Sequence, residues 1–478
     1  MRKISLQIAT IALLLTSVTP AFAADAPDPA AAAKADAKRM KELRRQYGEG
    51  PYPDEIDAYV AQRPEPLRPA YRLLYTQGEH VSVLNFERIA VAAMQLGYYK
   101  DAEFALDQAL ARIEAVYSKD PQAEKARALF HKESNKDFKG EPYERAMAYY
   151  YRGLLYLRAG DYENARASFD TAEFQDTVAE DESYQSDFAV MDYMSGWASH
   201  CAGQESKARD AFAAAAKGNP KLVPPPADAN TLFVAELGGA PLKVKGGSQK
   251  ELLTFEAPRG NAEDAVLFAV SGGNKNAEFQ PILASSVYEQ ATTRGGRPVQ
   301  GILNGKAQFK SATDTAANVS GAVGNALLQS GLSSGNSSLG NAGLAGMGLS
   351  FGLKLLSRAT KADADVRAWD NLPGAVYVTG AHLDNTNFKA SPVYMQKDQR
   401  LALPATPVMQ ASAGKCTVVW SRSRSAADIA APAPGIDAGV VHARSFAQAA
   451  VAKDKIFRAT LTSEGAPAAI VAPTALAR

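Results

Sequence analysis

The stretch AMAYYYRGLLYLRAGDYENARASFDTA, residues 146–172, decides the fold of this chain. Aromatic residues at Tyr149, Tyr156 and Phe169 are interleaved with small residues at Gly153 and Ala165. Small residues let two helices approach closely, and the aromatic rings fill the gaps between them. One such pair of helices cannot bury its apolar face alone, so neighbouring pairs must stack on it. The stretch therefore predicts an array of paired helices with a concave groove.

The spacing resembles that of the tetratricopeptide (TPR) repeat. With Ala165 at position 20 of that repeat, positions 4, 8, 11, 17, 24 and 27 are Tyr149, Gly153, Tyr156, Tyr162, Phe169 and Ala172. Two weaker copies flank this one, at residues 84–111 and 192–220, the second with Gly196 at position 8 and Phe212 at position 24. Their spacing from the central copy exceeds the usual repeat length of about 34 residues, which indicates inserted loops or longer helices. A generic domain of helical hairpins is the alternative interpretation.

Changes in composition along the chain predict an α+β multidomain fold. Residues 65–222 read as an N-terminal, α-helical, TPR-like solenoid, and the Pro-rich stretch 221–230 marks its end. Residues 231–425 change to a period of two and predict a smaller β-rich sheet or sandwich domain. Its clearest strands are at 264–270, 277–283, 374–383 and 416–423. We expect a flexible N-terminal segment at 24–64 and an Ala/Pro-rich tail at 426–478 with one helix near 442–455.

The first 23 residues read as a secretory signal peptide. Arg2 and Lys3 form a charged start, residues 8–15 form a short apolar run, and Ala21-Phe22-Ala23 is a typical cleavage site. The apolar run is shorter than the roughly 20 residues that span a bilayer. No cysteine follows the cleavage site, so a lipoprotein anchor lacks its acceptor. We expect a periplasmic protein of a Gram-negative bacterium, with a retained signal anchor as the alternative.

Charge and cysteine content exclude some classes of protein. The formal net charge of the 478 residues is +1, so the chain as a whole lacks the electrostatic footprint of a nucleic-acid-binding protein. Its two cysteines, Cys201 and Cys416, lie in different predicted domains. Two cysteines are no disulfide framework. We therefore expect buried, unpaired thiols, with a disulfide between them as the alternative.

Residues 315–353 contain no charged side chain and are rich in Gly, Ala, Ser, Asn and Leu. Closely packed helices with small residues at their contact are the first interpretation of this Gly-rich insert. A flexible loop is the second, and contact with a membrane is the third. The polar Asn and Ser residues fit the third interpretation poorly.

No catalytic constellation is visible in the sequence. The five histidines are scattered without metal-ligand spacing: His80, His131, His200, His382 and His442. The match of GLSSG (331–335) to a nucleophile elbow lies inside biased sequence and lacks a preceding strand. The acidic run 180–182 reads as a solvated surface. We predict a protein that is not an enzyme, with no catalytic residues, no cofactor and no metal.

Four stretches together resemble an uncharacterised family of exported Gram-negative bacterial TPR-repeat envelope proteins. They are YRLLYTQGEH (71–80), FKGEPYERAMAYYYRGLLYLRAGDYENARASF (138–169), AVLFAVSGGNKNAEFQPI (265–282) and ADADVRAWDNLPGAVYVTGAHL (362–383). The order of elements is similar over roughly residues 65–400. The resemblance implies the two-part architecture and a location in the cell envelope, and it hints at small outer-membrane lipoproteins as partners. It implies no enzymatic activity.

Five residues are candidates for binding a partner. Asp365, Arg367 and Trp369 alternate along an extended piece of chain, so their side chains would point the same way. They predict either a structural clasp between loop and sheet or a ligand contact. Tyr150 falls outside the repeat's contact positions and is predicted to face the groove, together with Arg152.

These features predict a scaffold that binds a protein partner in cell-envelope assembly or its regulation, without contact to nucleic acid. The alternative is a membrane-associated component of an export or surface-assembly apparatus, with residues 315–353 in contact with lipid. Neither the partner nor the oligomeric state follows from the sequence.

Overall fold

A computed structural model describes residues 29–117, 137–176, 188–246, 252–257, 263–272, 276–293, 366–384, 387–403, 406–424 and 448–463. The predicted signal peptide and the Gly-rich insert 315–353 lie outside these residues. The chain divides into two compact units, Met1–Gly50 and Pro51–Arg478.

The first unit contributes one described helix, α1 (Pro29–Tyr47). Residues 30–46 are exposed along its length, apart from the half-buried Leu43. The sequence predicts a flexible segment at 24–64, whereas residues 29–47 are helical, because Ala, Lys and Arg are strong helix formers and dominate them. In the second unit, α2 (Pro53–Ala61) begins with Pro53, which fits the first turn of a helix, and its Ile56, Tyr59 and Val60 are buried.

The described part of the second unit is mainly helical up to residue 218. After α2 come α3 (Arg68–Gln77), α4 (Ser82–Leu96), α5 (Tyr99–Tyr117), α6 (Pro142–Ala159), α7 (Tyr162–Asp176), α8 (Ala189–Cys201) and α9 (Glu205–Gly218). Short 3₁₀ turns at Glu65–Leu67 and Glu79–Val81 precede α3 and α4. The pairs α4–α5, α6–α7 and α8–α9 each pack as a hairpin. Gly160 joins α6 to α7 in the left-handed region, with φ of 77°.

The hairpins close where the sequence predicted small residues. A Cβ on Gly153 would lie 2.5 Å from the ring of Phe169, and a Cβ on Gly196 would lie 2.8 Å from the ring of Phe212. A larger side chain would therefore push the two helices of each hairpin apart. The alanines that follow in the pattern, such as Ala165, are fully buried.

The described strands of the second unit form three sheets. They are β1 (Thr231–Leu237), β2 (Leu242–Gly246), β3 (Leu252–Glu256), β4 (Ala265–Ser271), β5 (Ala277–Phe279), β6 (Ile282–Ser286), β7 (Ala375–Ala381), β8 (Lys389–Gln396), β9 (Gln399–Arg400), β10 (Val408–Ala413) and β11 (Cys416–Arg422). The largest sheet has the order β10-β11-β1-β7-β6, a second has the order β5-β4-β8-β9, and β2 pairs with β3. Strands β1 and β11 are parallel, and the other pairs are antiparallel. A short helix, α10 (Val287–Thr293), follows β6.

Three of the four predicted strands are confirmed as β4, β7 and β11. The fourth, 277–283, is instead divided into β5 and the start of β6 on either side of Pro281, which cannot donate a hydrogen bond to a ladder. Strand β1 was not predicted. All seven of its residues are buried, so the alternation of polar and apolar residues is missing.

Strand β1 explains how the layers stack. Its alternate residues Leu232 and Val234 join a core shared with the helices, whereas Phe233, Ala235 and Leu237 join a core shared with the β4–β8 sheet. The five-stranded sheet is therefore a middle layer between the helices and the second sheet. The predicted helical and β-rich domains share one hydrophobic core inside the unit Pro51–Arg478.

A last helix, α11 (Gln448–Ser463), lies in the predicted tail. It is displaced from the predicted 442–455 and packs on the N-terminal helices. Phe457 contacts Phe86 of α4, with ring centroids 6.3 Å apart, and the Arg458 Nε donates a hydrogen bond of 2.9 Å to the carbonyl of Tyr75. Helix α11, late in the chain, therefore packs on α3 and α4, which come early in it.

A disulfide joins the helical part to the middle sheet. Cys201 at the end of α8 bonds to Cys416 at the start of β11, with Cα atoms 5.8 Å apart. The expectation of unpaired thiols is therefore wrong. The two cysteines are 215 residues apart, and only the packing of α8 on the sheet brings them together.

Candidate functional site

The interface between the helices and the middle sheet contains a buried ion pair. Glu236 on β1 and Arg422 on β11 are register partners of the parallel pair, and Oε2 of Glu236 lies 3.2 Å from Nε of Arg422. Tyr151 of α6 and Trp420 of β11 each donate a hydrogen bond of 2.8 Å to the Glu236 carboxylate. Burial raises the pKa of Glu236, although Arg422 and these two donors oppose the shift. The cluster fixes α6 to the sheet.

A second buried pair, Glu144 with Lys243, holds the start of α6. Its oxygen and nitrogen lie 2.7 Å apart, with side chains 0% and 2% exposed. The Glu144 carboxylate also accepts the backbone N–H of Glu141 at 2.7 Å, as in a capping box, and that of Trp369 at 2.9 Å. Lys243 donates to the carbonyl of Arg367 at 2.9 Å. One carboxylate therefore joins helix, strand and loop.

Glu87 of α4 lies beside this second pair. It is fully buried, and neither of its carboxylate oxygens has a hydrogen-bond partner. Burial, and after it the charge of Glu144, raises the pKa of Glu87 well above its ordinary value. A protonated Glu87 avoids placing a second negative charge next to Glu144.

The predicted Asp365, Arg367 and Trp369 element is placed only in part, because Asp365 lies outside the described residues. Trp369 is 1% exposed, its Nε1 donates to Oδ1 of Asn371 at 2.7 Å, and its ring lies 5.7 Å from that of Tyr151. Arg367 lies over the Phe138 ring at 5.6 Å. Trp369 and Arg367 therefore contact aromatic side chains of the helical part of the chain.

Tyr150 and Arg152 do not line an open groove. Tyr150 is fully buried, with its ring 5.2 Å from that of Tyr151, so the expectation that it faces a groove is wrong. The sheet covers the face of α6 that a groove would expose. The side chain of Arg152 is 13% exposed, pairs with Asp107 at 2.7 Å and lies 4.0 Å from the ring of Tyr156.

An apolar cleft opens at the other end of the middle sheet. Its volume is about 340 Å³, and its lining residues come from α8, the Pro-rich stretch, β6 and β7: Tyr193, Leu222, Val223, Pro224, Pro225, Pro226, Ile282, Val378, Thr379 and Gly380. Val223 is 66% exposed, Ile282 37% and Leu283, beside the cleft, 39%. Hydrocarbon is thus exposed on adjoining segments around one cavity, which is typical of a binding surface.

Close packing and hydrogen bonds hold the walls of the cleft. Pro225 packs directly on β7 at Gly380, where an added Cβ would lie only 2.6 Å from the Cβ of Pro225. Strand β6 is the edge of the middle sheet, yet Nδ2 of Asn219 donates to the carbonyls of Leu283 and Ala284 at 2.9 and 3.0 Å. Because this side chain occupies edge carbonyls, a ligand would contact the cleft through side chains rather than by adding a strand.

The sequence pattern predicted other roles for the cleft residues. The Pro-rich stretch 221–230 was interpreted as a boundary, and Ile282 as part of a predicted strand. One feature of the sequence could have indicated the cleft. The apolar Val223 stands next to three consecutive prolines, in a stretch where the chain cannot form a regular element.

His200 has a partner at each ring nitrogen. His200 has Nδ1 3.2 Å from the Glu205 carboxylate and Nε2 2.8 Å from the carbonyl of Ala229, so both ring nitrogens are engaged in packing contacts. In the described ranges, no group of three His, Cys, Asp or Glu residues is arranged to hold a metal ion. Of the helices in those ranges, none has the length and apolarity needed to cross a membrane.

No protein-family model matches the chain, and no curated protein or solved structure is significantly similar to it.

Proposed function

We propose that this chain is an exported, periplasmic, non-enzymatic scaffold of the TPR type that binds a protein partner in assembly of the cell envelope. The partner presents an extended segment whose apolar side chains enter the cleft between the Pro-rich stretch and β6. The observation that carries this proposal is the exposure of Val223 and Ile282 around one cavity.

The hairpins support the TPR part of the proposal. Gly153 and Gly196 stand at position 8 of the sequence alignment, Phe169 and Phe212 at position 24, and each glycine packs on its phenylalanine. The same small-to-aromatic contact in two hairpins is what the repeat pattern requires. The disulfide between Cys201 and Cys416 supports export, because disulfides persist in oxidising compartments.

The arrangement of charge and hydrocarbon favours the cleft over the helical groove as the binding surface. The groove face of α6 is covered by the chain's own sheet and holds buried ion pairs. The cleft is lined by prolines and aliphatic side chains, whose immobilisation costs little entropy on binding. An extended apolar segment fits such a surface better than a charged helix does.

Site-specific photo-crosslinking in cells tests the proposal. A photoreactive residue at Val223 or Ile282 is expected to give one discrete protein adduct, and mass spectrometry should place the link in an extended segment with apolar side chains. The matched control is Ile456 of α11, which is exposed to 69% against 66% for Val223. The adduct at Val223 should disappear in the Ile282→Asp variant, while the melting temperature stays unchanged.

Two results contradict the proposal. Adducts of equal yield at Val223 and Ile456 would indicate random collision, and a turnover of small molecules that depends on the cleft residues would indicate an enzyme.

A further inference from the structure

Helix α1 exposes nearly its whole surface. Every residue from 30 to 46 is exposed except the half-buried Leu43, and Met40 is 38% exposed. A solitary helix of this length is only marginally stable in water, and a helix inside a protein gains most of its stability from a face that packs. The helix therefore presents a surface suited to an external partner.

The charges of α1 are concentrated. Lys34, Lys38, Lys41 and Arg45 recur at intervals of four, three and four residues, which places them in one narrow stripe. From Lys34 to Arg45 this basic stripe extends over about 16 Å of helix axis. Six basic and two acidic residues give α1 a formal charge of +4, whereas the whole chain carries +1. The remainder of the chain is therefore net negative, and α1 is a local concentration of positive charge.

The opposite side of α1 carries three large apolar residues in its C-terminal half, together with Asp36 one turn earlier and Arg39 and Arg44 on its flanks. Met40, Leu43 and Tyr47 follow each other at intervals of three and four residues and lie across the helix from the basic stripe. A helix with lysines on one face, apolar residues on the other and low net hydrophobicity is typical of helices that lie in a membrane interface.

We propose that α1 binds an anionic phospholipid surface, with Met40, Leu43 and Tyr47 in the headgroup region and the basic stripe paired with lipid phosphates. A lipid surface fits better than nucleic acid, because the remainder of the chain is net negative and no aromatic residue stands within the stripe to stack on bases. This site is independent of the apolar cleft.

Vesicle flotation with the purified protein, processed as it is in the cell, tests this proposal. Binding is expected to vesicles that contain phosphatidylglycerol, not to vesicles of phosphatidylcholine alone, and it should weaken at high salt. The triple variant Lys34→Glu, Lys38→Glu, Lys41→Glu should bind anionic vesicles at least about a hundredfold more weakly, because each of the three basic residues near such a surface contributes roughly fivefold in affinity.

The matched control is Lys207→Glu, Lys217→Glu, Lys221→Glu, which changes the net charge equally at exposed positions on and after α9. Retained vesicle binding in this control supports the proposal. Equal losses in both variants would overturn it, because net charge alone would then control binding. Binding of duplex DNA without binding of vesicles would overturn it in favour of a nucleic-acid partner. The variant Val223→Asp should bind vesicles normally, so failure of the cleft proposal is distinguishable from failure of this one.

Discussion

The helix–sheet interface buries charged side chains and the apolar cleft exposes hydrocarbon, which is the reverse of the usual distribution. The interface buries Glu236, Arg422, Glu144 and Lys243, each side chain at most 2% exposed. The cleft, at the edge of the same sheet, leaves Val223 and its neighbours exposed to water. A buried ion pair is weak evidence for stability, since removing two charges from water costs several kcal/mol. A charged interface tolerates only one alignment of helix and strand, whereas an apolar cleft accepts many ligands.

Of these two regions, the cleft is the one where binding of a partner is expected. At the interface each of the four charged side chains pairs with one from another element of the same chain. These groups are therefore satisfied by contacts within the chain. At the cleft the hydrocarbon has no such partner among the described residues, and burial of it by a ligand would be favourable by about 25 cal/mol per Å².

The largest expected effect is on the interface side. Arg422→Met leaves the Glu236 carboxylate buried without its cation, and we expect a loss of about 3–5 kcal/mol in the free energy of unfolding, measured with denaturant. The matched control Arg400→Met removes the exposed pair with Glu278, whose side chains are 63% and 52% exposed, and should cost less than about 1 kcal/mol. Equal losses would mean that burial does not set the cost of breaking a pair.

Removal of the disulfide is expected to have the second-largest effect. Cys201→Ala opens a covalent link between residues 215 positions apart, and we expect a loss of about 2–5 kcal/mol in the free energy of unfolding. Reductant should lower the stability of the wild-type protein to that of the variant and leave the variant unchanged. A wild-type protein insensitive to reductant after complete reduction would show that the interface alone holds the sheet to α8.

The third effect depends on pH. Folding raises the pKa of Glu87 and so favours its neutral form. The stability gained in this way is fully present below the unfolded-state pKa near 4.5 and is lost as pH rises through the folded-state pKa. Arg88, Arg145 and Lys243 oppose that shift, and Glu144 adds to it. We expect Glu87→Gln to gain stability over wild type with rising pH, by at most about 1.4 kcal/mol per pH unit. Unfolding midpoints at several pH values measure this gain.

A matched substitution at the exposed Glu65, Glu65→Gln, separates the burial effect from the loss of a carboxyl group. A constant difference between Glu87→Gln and wild type across pH would contradict the assignment of a neutral Glu87.

The smallest expected effect is on the cleft side. Val223→Asp adds a charge where the side chain is already exposed, so the free energy of unfolding should change by no more than about 0.5 kcal/mol. Calorimetry of this variant checks the expectation. A loss above about 1 kcal/mol would show that the cleft belongs to the core and not to a binding surface.

Local pattern was enough to predict the helices and several strands. Gly153 and Phe169, spaced as two helices in contact require, meet in the structure as predicted. Strand β1 escaped prediction because it is buried on both faces, and the flexible segment at 24–64 proved to contain two helices. Of the candidate site residues, Tyr150 and Trp369 are buried, which a spacing along one helix or loop does not reveal.

The sequence by itself determined the paired helices, the change to strands after the Pro-rich stretch and the small-to-aromatic contacts, because these depend on neighbours a few residues apart. The tertiary structure alone decided the pairing of Cys201 with Cys416, the two buried ion pairs and the cleft. Each of these joins residues far apart in the chain, and their proximity follows from how the helices pack on the middle sheet, which no local periodicity encodes.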